Sequence, residues 1–133
     1  MSMAIIGAGP AGSFLGAKLS WDKATIYDKK TLVGQPIQCT GIITDSIFRV
    51  IDELPDSIIK NYIDVFRIKA PDGSSVDIKL DKKNIVVDRC KFDQYLAGLA
   101  KKAGTHIKFG HELKGFKEKD DKYKLFFTNN KEE

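Results

Sequence analysis

Met3-Ala4-Ile5-Ile6-Gly7-Ala8-Gly9-Pro10-Ala11-Gly12 is the stretch on which the fold of this chain turns. A short apolar run leads straight into glycine, which suits a buried parallel strand. Pro10 stands well at a first helical position, and Ala11, Phe14, Leu15 and Leu19 recur at helical spacing through Ser20. Ala24 to Tyr27 reads as a second short strand, ended by Asp28-Lys29-Lys30. Residues 3–28 therefore spell a β-α-β unit around G-x-G-x-x-G. That pattern alone is weak, because glycines recur in any loop; the strand before it, the helix after it and the acid-ended second strand strengthen it. Gly7 permits a tight turn, Gly9 lets backbone approach a pyrophosphate, and Gly12 brings helix and strand together. Ala8, Pro10 and Ala11 complete the loop, and the helix N-terminus offers N–H groups and a positive dipole end to an anion. Asp28, 21 residues after Gly7, can accept hydrogen bonds from ribose hydroxyls.

Outward from this unit, residues 32–44 form a polar loop containing Gly34, Pro36, Cys39 and Gly41. Ile47, Phe48, Ile51 and Leu54 predict a helix stopped by Pro55. Phe66, Ile68 and Ala70, then Val76, Ile78 and Leu80, alternate around Pro71-Asp72-Gly73 and predict an antiparallel pair within an insertion over 62–88. Residues 91–103 predict a helix with Phe92, Tyr95, Leu96, Leu99, Ala100 and Ala103 on one face, stopped by Gly104. Residues 105–109 follow as a third buried strand. A meander over 112–128 then reads as a partial crossover, leaving Ile5, Ile6, Ile26 and Ile107 poorly covered.

A length of 133 residues allows one domain with a real core and is short for two. The net charge of +4 comes mostly from scattered Lys, and the three Arg (Arg49, Arg67, Arg89) form no cluster with aromatics, which argues against nucleic acid. A mildly basic surface still favours anionic ligands or an anionic membrane face. No apolar run approaches the ~20 residues of a membrane span. The N-terminus has neither a basic region nor a cleavage site, and two cysteines make no disulfide framework, so a reducing cytoplasm is the expected compartment.

The cofactor choice lies between NAD(P) and FAD. Lys29 and Lys30 could meet the 2′-phosphate of NADP, but two lysines after a strand also suit plain solvated surface. About sixty residues, including the antiparallel pair, separate Asp28 from the next helix. Insertions of that kind suit two-domain flavoproteins, which favours FAD.

Ala4-Ile5-Ile6-Gly7-Ala8-Gly9-Pro10-Ala11-Gly12-Ser13 looks like the start of flavoprotein oxidoreductases of the p-hydroxybenzoate hydroxylase type. Val33-Gly34-Gln35-Pro36-Ile37-Gln38-Cys39-Thr40-Gly41 resembles the V-G-x-P-x-Q-C-x-G stretch of the geranylgeranyl reductase family, especially its archaeal lipid-forming members. Val87-Asp88-Arg89-Cys90-Lys91-Phe92-Asp93-Gln94-Tyr95-Leu96 is similar to that family's D-R-x-x-F-D-x-x-L segment. The resemblance implies an α/β fold: a Rossmann-like FAD-binding domain, its parallel sheet carrying antiparallel insertions. It implies FAD-dependent reduction of isoprenoid double bonds in membrane lipid biosynthesis, with an isoprenoid lipid as substrate and the membrane face as a working surface. Gly7, Gly9, Gly12 and Asp28, with Ala8, Pro10, Ala11 and Lys29 alongside, would hold the ADP half of FAD. Arg89 would lie near its phosphates or ribose, while Cys39 and Gly41 would sit in the loop facing the flavin ring, Cys39 as catalytic group.

Two departures stand out. The turn Trp21-Asp22-Lys23 is tighter than the family's and lacks its glycine. The family's later G-D motif and isoprenoid-binding domain are absent, so the chain reads as an N-terminal piece, not competent alone, to be completed by a longer gene product or a partner chain. Plainer readings stay open. Cys39 equally suits an inert loop thiol, Cys90 suits packing, Arg89 suits a helix-start ion pair, and His106 and His111 lack metal partners. The alternatives in function are another FAD-dependent hydroxylase or dehydrogenase of this fold, or a non-catalytic nucleotide-binding half that needs a partner.

Overall fold

In the computed structural model, residues 2–19 and 24–128 are described. The 21–23 turn and the last five residues lie outside them. Strand β1 (Met3–Ile6), helix α1 (Pro10–Lys18) and strand β2 (Ala24–Asp28) realise the β-α-β unit within the boundaries that the sequence predicts. Strands β3 (Ile42–Ile43), β4 (Ile59–Lys69) and β5 (Ser75–Val87), helix α2 (Arg89–Lys102), and strands β6 (His106–Phe109), β7 (Leu113–Lys119) and β8 (Lys122–Phe127) follow. The backbone forms two compact units, Met1–Pro36 with Phe92–Glu133, and Ile37–Lys91.

In the first unit β1, β2 and β6 make a parallel sheet in the order β1-β2-β6, with Ile5 opposite Ile26 and Ile26 opposite Ile107. Its core gathers Ile5, Ala8, Ile26, Val33, Ala97 and Ala100, with Met3, Ala17, Leu19, Ile107 and Phe109 packed against them. Ile5 and Ile26 are thus well covered, contrary to expectation, whereas Ile6 remains 49% exposed. Strands β7 and β8 pair antiparallel through a turn with Asp120 and Asp121 both at positive φ (52° and 56°), the conformation a two-residue hairpin turn needs.

The two helices bury faces that differ from those read in the sequence. In α1 the buried residues are Ser13 and Gly16, while Leu15 is 45% exposed. Small residues win here because helix and sheet lie very close. A Cβ on Gly16 would come within 2.9 Å of Ile26 Cδ1 and 3.2 Å of Thr105 Cγ2, and the Thr105 hydroxyl donates to the Gly16 carbonyl at 2.8 Å. In α2 the buried stripe is Phe92, Asp93, Leu96, Ala97 and Ala100; Tyr95, Leu99 and Ala103 are half-buried. Gly104 ends this helix as predicted: at φ +90° it lets Thr105 N–H reach back to the Ala100 carbonyl at 3.0 Å.

The second unit is a sheet in the order β3-β5-β4. The predicted antiparallel pair is there but longer, with Phe66 opposite Ile78 and Ile68 opposite Val76. At its tip Asp72 accepts from the Ser74 amide (2.8 Å) and hydroxyl (2.7 Å). The helix expected over Ile47 to Leu54 is absent; a five-residue 3₁₀ turn, Asp45–Arg49, stands there instead. Ile47, Val50 and Ile51 are β-branched, and Pro55 leaves too few residues to repay helix nucleation. Ile51 and Leu54 are nonetheless buried, so their spacing marked burial rather than helix.

Candidate functional site

The candidate residues fall in two groups, one in each unit. In the first, Gly7 has φ +100°, open to glycine at little cost, and its N–H donates to the Tyr27 carbonyl at 2.7 Å. Gly9 caps α1 with no side-chain hydrogen bond, and a Cβ placed on it meets nothing within 4 Å. Gly12 has no such room: a Cβ there would overlap the Gly7 carbonyl oxygen. Gly12 therefore serves contact between helix and loop, while Gly9 opens onto space at the helix N-terminus. The sequence reading expects Gly12 to bring helix and strand together, and the nearest backbone is instead that of Gly7 in the loop; the open space at Gly9 has room for a pyrophosphate against the first-turn amides.

Asp28 does more than the sequence suggests. Its Oδ2 accepts the Ala8 amide at 2.6 Å and its Oδ1 accepts the Lys30 amide at 2.8 Å. The carboxylate clamps the glycine loop to the end of β2, and each oxygen keeps a lone pair for a ligand hydroxyl. Ser13, fully buried, ties the same loop from the other side by donating to the Ala8 carbonyl at 3.0 Å. Gly7, Tyr27, Asp28, Lys29, Lys30 and His111 help line a cavity of about 330 Å³ beside the loop, within the size range of small-molecule sites. His111 went unnoticed in the sequence as a site residue. It is held by its own N–H to the Asp28 carbonyl (2.9 Å), by Nδ1 against the Phe109 carbonyl (2.7 Å), and by ring contacts with Tyr27 and Phe127. No residue pattern announces such a position, because it arises from the return of the chain after β6.

In the second unit, Cys39 is exposed, and Gly41 beside it is buried at φ +80°. A Cβ on Gly41 would lie 2.5 Å from the Val87 carbonyl oxygen, so the close approach of β5 is reason enough for glycine there. The Gly41 backbone N–H, hydrogen-bonded to the Cys39 sulfur, holds the thiol below its ordinary pKa, and the Arg89 guanidinium adds to that against partial desolvation. Arg89 opens α2, whose N-terminus is capped by Asp88 accepting the Lys91 amide at 3.1 Å. Among the described residues no group of three His, Cys, Asp or Glu is arranged to hold a metal, and no helix is long and apolar enough to cross a membrane.

Comparison with known proteins adds the lineage. No family model matches the chain. Over 132 residues it is 31% identical to the digeranylgeranylglycerophospholipid reductase of Methanococcus aeolicus, covering 94% of this chain and 32% of that protein. The family it resembles is the geranylgeranyl reductases. The reductase of Methanococcus vannielii is 29% identical over 94% of this chain and 33% of its own length. An uncharacterized Methanosarcina barkeri protein encoded 5′ of nifH2 is 33% identical, over 77% of this chain and 61% of its own. The chain spans about a third of the length of the reductases it matches. A geranylgeranyl bacteriochlorophyll reductase-like structure from Thermoplasma acidophilum superposes with a TM-score of 0.85 at 24% identity, covering 98% of this chain and 36% of that one. The halogenase PltM, solved with phloroglucinol and FAD, gives 0.71 at 18% identity over 98% and 32%. These likenesses show the fold, Rossmann-like α/β with antiparallel insertions.

Proposed function

We propose that this chain is the dinucleotide-binding portion of an FAD-dependent reductase of isoprenoid double bonds in membrane lipid biosynthesis. The observation that carries the reading is the clamped glycine loop. Gly9 opens onto space at a helix N-terminus, and Asp28 fixes that loop while retaining lone pairs for a ribose. Gly7, Ala8, Gly9, Pro10, Ala11, Gly12, Asp28 and Lys29 would hold the ADP half of the cofactor. Reduced flavin, when bound, supplies a hydride to one alkene carbon. Cys39 supplies the proton to the other, and its thiolate is stabilised by the Gly41 N–H and Arg89. In this reading Gly41 belongs to the loop facing the flavin ring, and Arg89, at the start of α2, would lie near the cofactor's phosphates or ribose.

The flavin ring and the isoprenoid would draw further residues from polypeptide beyond this third, in a longer chain or a partner. A lipid substrate places the work at the cytoplasmic face of a membrane. Titrating FAD and FMN against the protein tests the cofactor. FAD should bind and FMN, lacking the adenosine that Asp28 would hold, should not. Gly9→Val fills the open space and should cost FAD affinity at least about tenfold, the loss of one good contact. Unchanged FAD affinity in that variant would refute the phosphate-loop assignment.

A further inference from the structure

We infer that His111 is the residue that reads the base of the dinucleotide, selecting adenine by accepting a hydrogen bond from its 6-amino group. The inference rests on the dinucleotide reading and adds a specificity determinant to it. His111 shares one cavity with Gly7, where the phosphate loop begins, and with Asp28, the ribose acid. Its backbone N–H is bonded to the Asp28 carbonyl at 2.9 Å, which holds the residue beside the acid that would take the ribose.

The ring's orientation is fixed. Tyr27 lies against it with centroids 5.7 Å apart, and Phe127 meets it edge-on at 5.3 Å. The Phe109 carbonyl, 2.7 Å from Nδ1, can only accept, so Nδ1 carries the proton and Nε2 of the neutral ring is an acceptor. Other groups around the cavity are less suited to that task. Lys29 and Lys30 only donate through their side chains. Asp28 is assigned to the ribose, and Glu112 is engaged by the Lys114 ammonium at 3.0 Å and the Thr128 hydroxyl at 3.2 Å. A base with an amino group at the 6-position satisfies Nε2, whereas a 6-oxo base sets lone pair against lone pair. Setting this half-buried acceptor against a lone pair should discriminate about tenfold.

Calorimetric titration of the full 133-residue chain with ADP and with IDP tests this, because the two differ only at and around the 6-position. ADP should bind about tenfold more tightly than IDP. His111→Phe keeps the ring packing but loses the acceptor, and should bring the ratio of the two affinities to near one. The ratio is read within each variant, so a change in stability that weakens both nucleotides alike cancels. Equal binding of ADP and IDP by the unaltered chain, or an undiminished preference in His111→Phe, would overturn the role of His111 while leaving FAD binding intact. Failure of ADP, IDP and FAD all to bind would overturn the dinucleotide reading and this inference with it.

Discussion

Residues carry more than one task in this chain, and Cys39 is where that can be measured. The Gly41 N–H and the Arg89 guanidinium lower its pKa, so its thiolate is populated at lower pH than that of an ordinary thiol. In a Cys90→Ser background, the rate of alkylation by iodoacetamide should therefore rise with pH through a midpoint below the usual thiol value near 8.5. Arg89→Ala should move that midpoint upward, because the thiolate loses a favourable charge. A midpoint at or above the ordinary value would remove the electrostatic account. Under the proposed reductase activity, Cys39→Ala in the full-length protein should slow alkene reduction by about 10²–10⁴-fold, the scale of general acid catalysis, while reduction of the flavin is nearly unchanged. Wild-type alkene reduction would leave Cys39 as a loop thiol. The glycine loop and Asp28 were legible in the sequence because residue type and spacing encode them directly. The second role of Asp28, holding the Ala8 amide, was not, since it depends on a carboxylate meeting a backbone group 20 residues away. His111 was hidden for the same reason.

At the scale of elements, the β-α-β unit follows its sequence closely because a short buried strand, a glycine turn and a helix-starting proline all agree. The face of α1 was misread because apolar size was taken as the mark of burial. The surface between α1 and the sheet is too close for Leu15 and selects Gly12, Ser13 and Gly16 instead; the four-residue spacing of the two glycines was the available signal. The consequence is an ordering of stabilities. Gly12→Ala sets a Cβ onto a backbone carbonyl, which side-chain motion cannot relieve, and should destabilise most. Gly16→Ala meets the end of Ile26, which is fully buried, so overpacking of about 1–3 kcal/mol competes with a helix-propensity gain of about 1 kcal/mol. Its net cost should be smaller than that of Gly12→Ala. Leu15→Ala on the exposed side should change stability by less than about 0.5 kcal/mol. Thermal unfolding of the three variants checks the order, and a Leu15→Ala loss exceeding that of Gly12→Ala would contradict this packing.

Across the whole molecule, burial is distributed very unevenly, and local stability should follow it. Ile26 is fully buried in the parallel sheet, and Ile85 and Val87 are only 2% and 3% exposed at the end of β5. Farther along the same hairpin, Ile68, Val76 and Ile78 are 57%, 56% and 45% exposed, and the Arg67–Asp77 ion pair is open to solvent. The ladder is also interrupted between these regions: pairing passes from Ile63–Asn84 to Val65–Lys79, leaving residues 80–83 of β5 out of register. A break in the hydrogen-bonded ladder next to a loss of burial lets the distal hairpin open without the rest. Three aliphatic side chains left about half uncovered forgo together about 3 kcal/mol, which corresponds to roughly 100-fold in an opening equilibrium. Amide hydrogen exchange at neutral pH should accordingly be about 100-fold faster for Val65 to Lys69 and Ser75 to Lys79 than for Ile26, Ile85 and Val87. The step should fall at the irregularity rather than decline smoothly along the strands. Uniform protection along β4 and β5 would mean that the hairpin opens only with the whole chain, and that the exposed ladder contributes stability through contacts other than burial.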